Sequence, residues 1–389
     1  MTYFRLLGFL NSRETLVTVG TIAASIAFVM ELTLLPLLLS EIQRDLVLNV
    51  GELAWVFNAY AIAVAIAVLS SGLVGDIVDR QKLFAVGVVL FVSGSVLSAF
   101  SSSLLDLILS RMLQGFGGGL FSPLVPILLT QASAARSGKI LMIWGGLVGV
   151  AAALLPAFGN VILTAFGWRA MFVVFALVAT AGLTCLIGAN STLKSEGKRR
   201  PNYGALLSHP RYWRLLVYIF LTYGCFTFYL FHCSIGWPKN GFSSQMVSIF
   251  LTCVWVSFAL LNFVLRDRID GKGLGVCLFL APILIAASYG LAVTNKADVV
   301  MQITAAVLAG AALACSNSPT THLLLRLAPQ DLRAFSSSLD IIFARCGSVA
   351  MVALLSPFQG PTVALAILGF SIGALWCFKG VGSQPKPSG

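Results

Sequence analysis

The sequence predicts an all-α membrane protein with twelve transmembrane helices in two pseudo-symmetric six-helix bundles. Three observations carry this expectation. Of 389 residues, 58% are hydrophobic and only 10% are charged, whereas a soluble globular chain carries about 25% charged residues. Twelve windows are long enough to cross a bilayer, which takes about 20 mostly apolar residues. A single polar, basic, proline-containing stretch at the middle of the chain leaves six windows on either side. The same composition excludes a soluble enzyme and a disordered or fibrous chain.

In order, the windows of the first half are 15–40, 51–73, 83–103, 106–131, 138–164 and 168–190. Those of the second are 213–236, 244–265, 273–293, 297–326, 332–356 and 358–378. The expected organisation is an N-terminal bundle over 1–190, a cytoplasmic basic linker over 191–212, a C-terminal bundle over 213–380 and a disordered tail over 381–389. The first window has no cleavage-site pattern and is too long for a signal-peptide core, so it is read as retained.

The net charge of +11 is explained by topology. With both termini cytoplasmic, nineteen of the 25 Lys and Arg fall on the inner side, four on the outer side (Arg44, Arg169, Lys239, Lys296) and two within the membrane. This is the positive-inside bias, and no nucleic-acid surface is needed to account for the charge. The eight cysteines lie in apolar stretches without a C-x-x-C pair, so neither a disulfide frame nor a metal site is expected.

The segment after the second window contains Gly72, Gly75, Asp76, Asp79, Arg80 and Lys82. It resembles the loop signature of the major facilitator superfamily, G-x-L-a-D-r-x-G-r-k. Gly72, Asp76 and Arg80 match; Ile77 stands where Arg is usual and Asp79 where Gly is usual. A degraded echo containing Asp267 and Arg268 follows 191 residues after Asp76, as a duplicated six-helix unit requires. A carboxylate at this point can meet a helix N-terminus, and Arg80 can hold it by a charge-assisted bond. The resemblance implies a gating contact to the eleventh helix that locks the outward-open state.

The fourth window contains Arg111, Gln114, Gly115, Gly117, Gly118 and Gly119, similar to the family's R-x-x-Q-G-x-G. Gly115 and Gly119 form a small-xxx-small face for close helix packing. In the fifth window, Gly149, Pro156 and Gly159 resemble the antiporter signature G-x-x-x-G-P-x-x-G-G imperfectly: Leu155 and Asn160 replace two of its glycines. Glu31 in the first window, Trp55 and Tyr60 in the second, and Gly167, Trp168, Arg169 and Phe172 opening the sixth look like the drug:proton antiporter branch.

Setting aside charges at the window ends, four strong candidates for charge inside the membrane remain: Glu31, Arg111, Asp340 and Arg345. A charge in hydrocarbon costs several kcal/mol and is expected to face a partner or a cavity. Glu31 and Arg111 both fall in the outer half of their helices. The resemblance places the first and fourth helices around a central cavity, which makes a Glu31–Arg111 pair across it the sharpest geometric expectation. Near the outer end of its window, Arg111 also has snorkelling as an alternative. A low-dielectric surrounding favours the neutral carboxyl and a nearby guanidinium favours the carboxylate. Glu31 therefore suits either a proton carrier or a fixed salt bridge. Asp340 and Arg345 are five residues apart, so they project about 140° from each other. Each needs a partner from another helix. Asp340 joins Glu31 and Arg111 as a proton-coupling candidate. Asn58, Tyr60, Gln114, Tyr229, His232, Asn317 and Arg345 are candidates for lining a substrate cavity.

The resemblance implies a secondary transporter. The first expectation is a proton-coupled antiporter exporting a small amphipathic molecule such as a drug, siderophore or metabolite. The alternative is a proton symporter importing an organic anion or siderophore. No cofactor is expected beyond the proton gradient as driving force, and no metal. The expected partners are a small-molecule substrate and the lipid bilayer, with the chain a monomer in a bacterial inner membrane. No H-E-x-x-H occurs, so an embedded metalloenzyme is not expected.

Overall fold

The computed structural model describes residues 12–74, 79–132, 137–188, 208–265, 273–329, 332–358 and 360–379. The first half contains α1 (Ser12–Asp45), α2 (Val50–Val74), α3 (Arg80–Ala99), α4 (Leu104–Phe121), α5 (Val125–Ala132) and α6 (Ser137–Gly188). The second contains α7 (Pro210–Lys239), α8 (Ser244–Leu265), α9 (Gly273–Thr294), α10 (Val299–Leu327), α11 (Arg333–Leu355) and α12 (Pro361–Lys379). A 3₁₀ turn over Ser122–Leu124 joins α4 to α5, and the two run as one span over Leu104–Ala132.

Among the described residues, eleven helical spans are long and apolar enough to cross a bilayer. One of them, Lys139–Ile187, holds 49 residues. At about 1.5 Å per residue it is more than twice the roughly 30 Å hydrocarbon thickness. It is broken at Gly167, whose φ of 77° and ψ of 175° lie in a region open essentially to glycine alone. Division there gives the twelve spans expected. The turn between the fifth and sixth spans is thus a one-residue break rather than a loop.

Local sequence sets the helix starts. Asn49 and Glu52 cap α2 reciprocally: the Asn49 amide donates to the Glu52 carboxylate at 2.8 Å and the Glu52 amide to Asn49 Oδ1 at 2.9 Å. Asp79 caps α3, accepting from the Gln81 and Lys82 amides at 2.9 and 3.0 Å. This Asp replaces the glycine usual in the resembled loop, and here it satisfies two otherwise orphan donors. Asp298 does the same for α10. α7 starts at Pro210, inside the stretch read as linker; residues 189–207 lie outside the described set.

The packing repeats between the halves. In the first, α1 lies on α6, α2 on α4, and α3 on both α4 and α6. Six spans on, α7 lies on α11 and α12, α8 on α10, and α9 on both α10 and α12. Between halves, α2 packs on α11 and α8 on α6, the same relation read from each side, while α1 touches α7 and α8. Large apolar side chains face outward: Phe166, Trp376, Leu365, Leu177 and Phe263 are each more than 60% exposed. Such a surface is stable only against another apolar medium, as a bilayer provides.

Candidate functional site

Glu31 and Arg111 meet. Arg111 Nη2 lies 2.5 Å from Glu31 Oε1, and the residues are 0% and 1% exposed. Arg111 Nη1 donates to Gln114 Oε1 at 2.5 Å. Gln114 Nε2 donates to Ser95 Oγ at 2.9 Å, and Ser95 in turn donates to the Phe91 carbonyl at 2.7 Å. A chain of polar contacts therefore runs from α1 through α4 into α3. The guanidinium carbon sits 4.6 Å from the Tyr60 ring centroid and 5.8 Å from that of Phe172, both within cation–π range.

The position corrects one expectation. The resemblance leads to a pair across the central cavity that the first and fourth helices line. Instead, α1, α2, α3, α4 and α6 enclose the pair inside the N-terminal bundle, and Arg111 does not snorkel. The reason is energetic. A guanidinium out of water needs most of its donors met, and Glu31, Gln114 and two aromatic faces meet them only within the bundle. The bonding is nonetheless incomplete: among the described residues, Arg111 Nε and Asn58 Oδ1 are buried without a hydrogen-bond partner. Each such atom costs roughly 1–3 kcal/mol.

The glycines of the fourth span make this approach possible. A Cβ on Gly115 would collide with the Tyr60 carbonyl, and one on Gly119 would stand 2.6 Å from the Val64 carbonyl, both on α2. Gly94 of α3 similarly admits the Gln114 backbone. Of the fifth-span residues, Pro156 and Gly159 are buried, and a Cβ on Gly159 would strike Leu34 of α1. Gly149 faces open space and takes no part in packing.

The remaining candidates are dispersed. Asn58 joins the halves, its Nδ2 donating to the Val349 carbonyl of α11 at 3.2 Å. Nearby, the Phe57 and Phe231 rings meet edge-on at 5.5 Å. Asp340 accepts from Thr321 Oγ1 at 2.5 Å, which supplies the α10 partner it required. Arg345 is 8% exposed and lies 6.0 Å from the Tyr223 ring. Among the described residues no carboxylate lies within ion-pair distance of it. Tyr229 is fully buried beside Trp237, at 6.4 Å between rings, so it is core rather than cavity wall. Asn317 is exposed, and its carbonyl accepts from Thr320 and Thr321. His232 stacks between Phe228 and Tyr289. Arg80 opens α3, and Gly72 lies in the last turn of α2. Asp76, Asp267 and Arg268 lie outside the described residues.

Sequence reasoning missed two parts of this arrangement. Ser95 is one of several serines in an apolar helix and only its place opposite Gln114 distinguishes it. The second part lies at the far end of α1. Asp45 there accepts from Arg169 Nη1 at 2.6 Å and Trp168 Nε1 at 3.2 Å, and Arg169 also reaches the Ser101 carbonyl at 3.0 Å. These contacts clasp the Gly167 break to α1 and to the turn between α3 and α4.

Among curated proteins, the chain is 25% identical to the methylenomycin A resistance protein of Bacillus subtilis over 240 residues, which are 61% of this chain and 48% of that protein. It is 30% identical to the tetracenomycin C resistance and export protein of Streptomyces glaucescens over 143 residues, 36% of this chain and 27% of that one. It is 33% identical to a riboflavin transporter of Clostridioides difficile over 134 residues, 34% and 29% of the two chains. The matches thus span about half or less of the relatives' length. Among solved structures, a nucleoside transporter superposes with a TM-score of 0.74 at 12% identity, covering 96% of this chain and all of that one. A D-xylose–proton symporter superposes with a TM-score of 0.72 at 15% identity, covering 96% and 97%. These likenesses establish the fold. The Major Facilitator Superfamily profile matches residues 20–351, and with the twelve spans and repeated packing it shows that this chain belongs to that superfamily.

Proposed function

We propose that the protein is a proton-coupled antiporter that exports a small amphipathic molecule across a bacterial inner membrane, as a monomer with both termini cytoplasmic. The proton gradient is its driving force. The two halves rock about the α2–α11 and α6–α8 contacts, giving alternating access. The observation that carries this reading is the wholly buried Glu31–Arg111 pair. A carboxylate held by one guanidinium in a dry bundle is stable until that guanidinium moves; it is then favoured to take a proton. Arg111 Nε, buried with no partner among the described residues, can supply a bond for the rearranged state. Asp340, held by a single hydroxyl on α10, is the second carboxyl that this cycle can use. The resistance and export relatives support the outward direction.

A second reading rests on Arg345. A buried guanidinium with no carboxylate at ion-pair distance among the described residues fits an anionic substrate, and hence proton symport of an organic anion. Proteoliposomes under an imposed pH gradient separate the two when screened with cationic dyes, organic acids and siderophores. Proton movement opposite to substrate, abolished in Glu31→Gln, is the expected result. Movement in the same direction would establish symport. Flux unchanged in Glu31→Gln would remove Glu31 from the proton path and leave Asp340.

A further inference from the structure

The face that carries Asp45 also holds the ends of α7 and α9. There the C-terminal half contains a cavity of about 220 Å³. Its wall includes Phe231, His232 and Trp237 of α7, Lys239 in the last turn of α7, Lys296 just after α9, and Val50 of α2. None of its lining residues is Asp or Glu. The carboxylate nearest to Lys296 in sequence, Asp298, is committed to the α10 N-terminus, accepting from the Val300 and Met301 amides at 2.8 and 3.1 Å. Helix ends of both senses converge here, the C-termini of α7, α9 and α11 and the N-termini of α2, α10 and α12, each carrying at most about half a charge, of opposite signs. They cannot cancel two full lysine charges, so the cavity is net cationic.

The wall is also fixed and partly apolar. Trp237 Nε1 donates to Gln302 Oε1 at 2.7 Å, and Gln302 Nε2 donates to the Ala292 and Asn295 carbonyls at 3.0 and 2.9 Å. The polar atom of Trp237 is thereby used; its ring, 2% exposed, bounds the space, and the more open apolar wall is Val50, Val293 and Phe358. His232 is held by the Phe228 and Tyr289 rings at 5.4 and 5.6 Å, and among the described residues its nitrogens bond no protein group. At about 30 Å³ per water the space equals about seven waters, the size of a benzoate-like ion.

We propose that this cavity binds a small amphipathic carboxylate, its charge between Lys239 and Lys296 and its compact apolar body against Val293 and Phe358 beside the Trp237 ring, at a site separate from the Glu31–Arg111 pair. Val50 belongs to the opposite half, and Phe231 packs edge-on against Phe57 of that half. The ligand therefore touches both halves, and it favours the arrangement in which this end is closed over one that parts them.

Intrinsic tryptophan quenching tests this on the full chain in phosphatidylcholine nanodiscs, with 4-nitrobenzoate as probe and 4-nitrobenzamide as its uncharged counterpart. The expected result is saturable quenching by the anion that is absent in Trp237→Phe. Affinity falls at least ten-fold in Lys239→Gln/Lys296→Gln and is unchanged in Glu31→Gln. Both lysines are exposed, so the double variant keeps its fold. Equal binding of the amide, wild-type affinity in the double lysine variant, or no saturable quenching would each overturn the proposal.

Discussion

Arg111 and Glu31, eighty residues apart in the chain, meet at 2.5 Å in a site where neither is more than 1% exposed. Removing one member of such a pair costs about 3–5 kcal/mol, because the other charge remains buried and uncompensated. Arg111→Ala should therefore lower the melting temperature in detergent by several degrees. Glu31→Gln/Arg111→Gln removes both charges and keeps amide hydrogen bonds, so it should melt above Arg111→Ala. A thermal-shift double-mutant cycle measures the coupling. Additive effects would show that the pair contributes nothing as a pair.

This pair was legible because a charge deep in an apolar window must find a partner, and only a few arrangements supply one. The twelve spans were legible for a similar reason, since length and apolarity alone define them. Rotation of the helices was not. A helix that is apolar all round carries no stripe to show which face it buries. So Tyr229 reads as cavity wall although it is fully buried beside Trp237. The Asp45–Arg169 clasp escaped notice because its residues sit at helix ends, where charges are ordinary.

The glycine-rich run of α4 gives a second prediction, because two of its residues lie against α2 backbone that cannot yield as a side-chain tip does. A methyl group on Gly119 meets the Val64 carbonyl at 2.6 Å. Overpacking of this kind typically costs about 1–3 kcal/mol, so Gly115→Ala and Gly119→Ala should each lower thermal stability. Gly149→Ala meets nothing within 4 Å. It should be neutral or stabilising by up to about 1 kcal/mol from helix propensity. Equal melting temperatures for the three variants would contradict the packing described.

The clasp at the Gly167 break separates charge from burial. The Arg169 and Asp45 side chains are 40% and 46% exposed, so their bridge should contribute only about 0.2–1 kcal/mol and weaken in salt. Trp168 beside them is 4% exposed, and truncating such a ring costs about 3–5 kcal/mol. Trp168→Ala should therefore destabilise far more than Asp45→Asn. Raising salt to 1 M should shrink the Asp45→Asn difference and leave the Trp168→Ala difference intact. Melting curves at two salt concentrations decide it, and an Asp45→Asn effect as large as that of Trp168→Ala would mean that the charge, not the buried ring, holds the break.

The two side-chain contacts described between the halves, Asn58 with Val349 and Phe57 with Phe231, both lie toward the end of the molecule that carries Asp45. In the structure this end is closed, and in an alternating-access cycle it must part. Cysteines placed at Asn58 and Val349, in a background with the eight native cysteines replaced, should be joined by a short bifunctional thiol reagent and should hold the end shut. Flux in proteoliposomes is expected to stop on crosslinking and return on reduction. The control is Ser98→Cys/Ser110→Cys, whose hydroxyls lie 2.9 Å apart between α3 and α4. That crosslink binds two helices of one half, which move together in a rocking motion, so it should leave flux unchanged. Loss of flux in both pairs would point to motion inside the N-terminal bundle. Flux that survives complete crosslinking of the first pair would mean that α2 and α11 never separate here, and that the substrate leaves by another route.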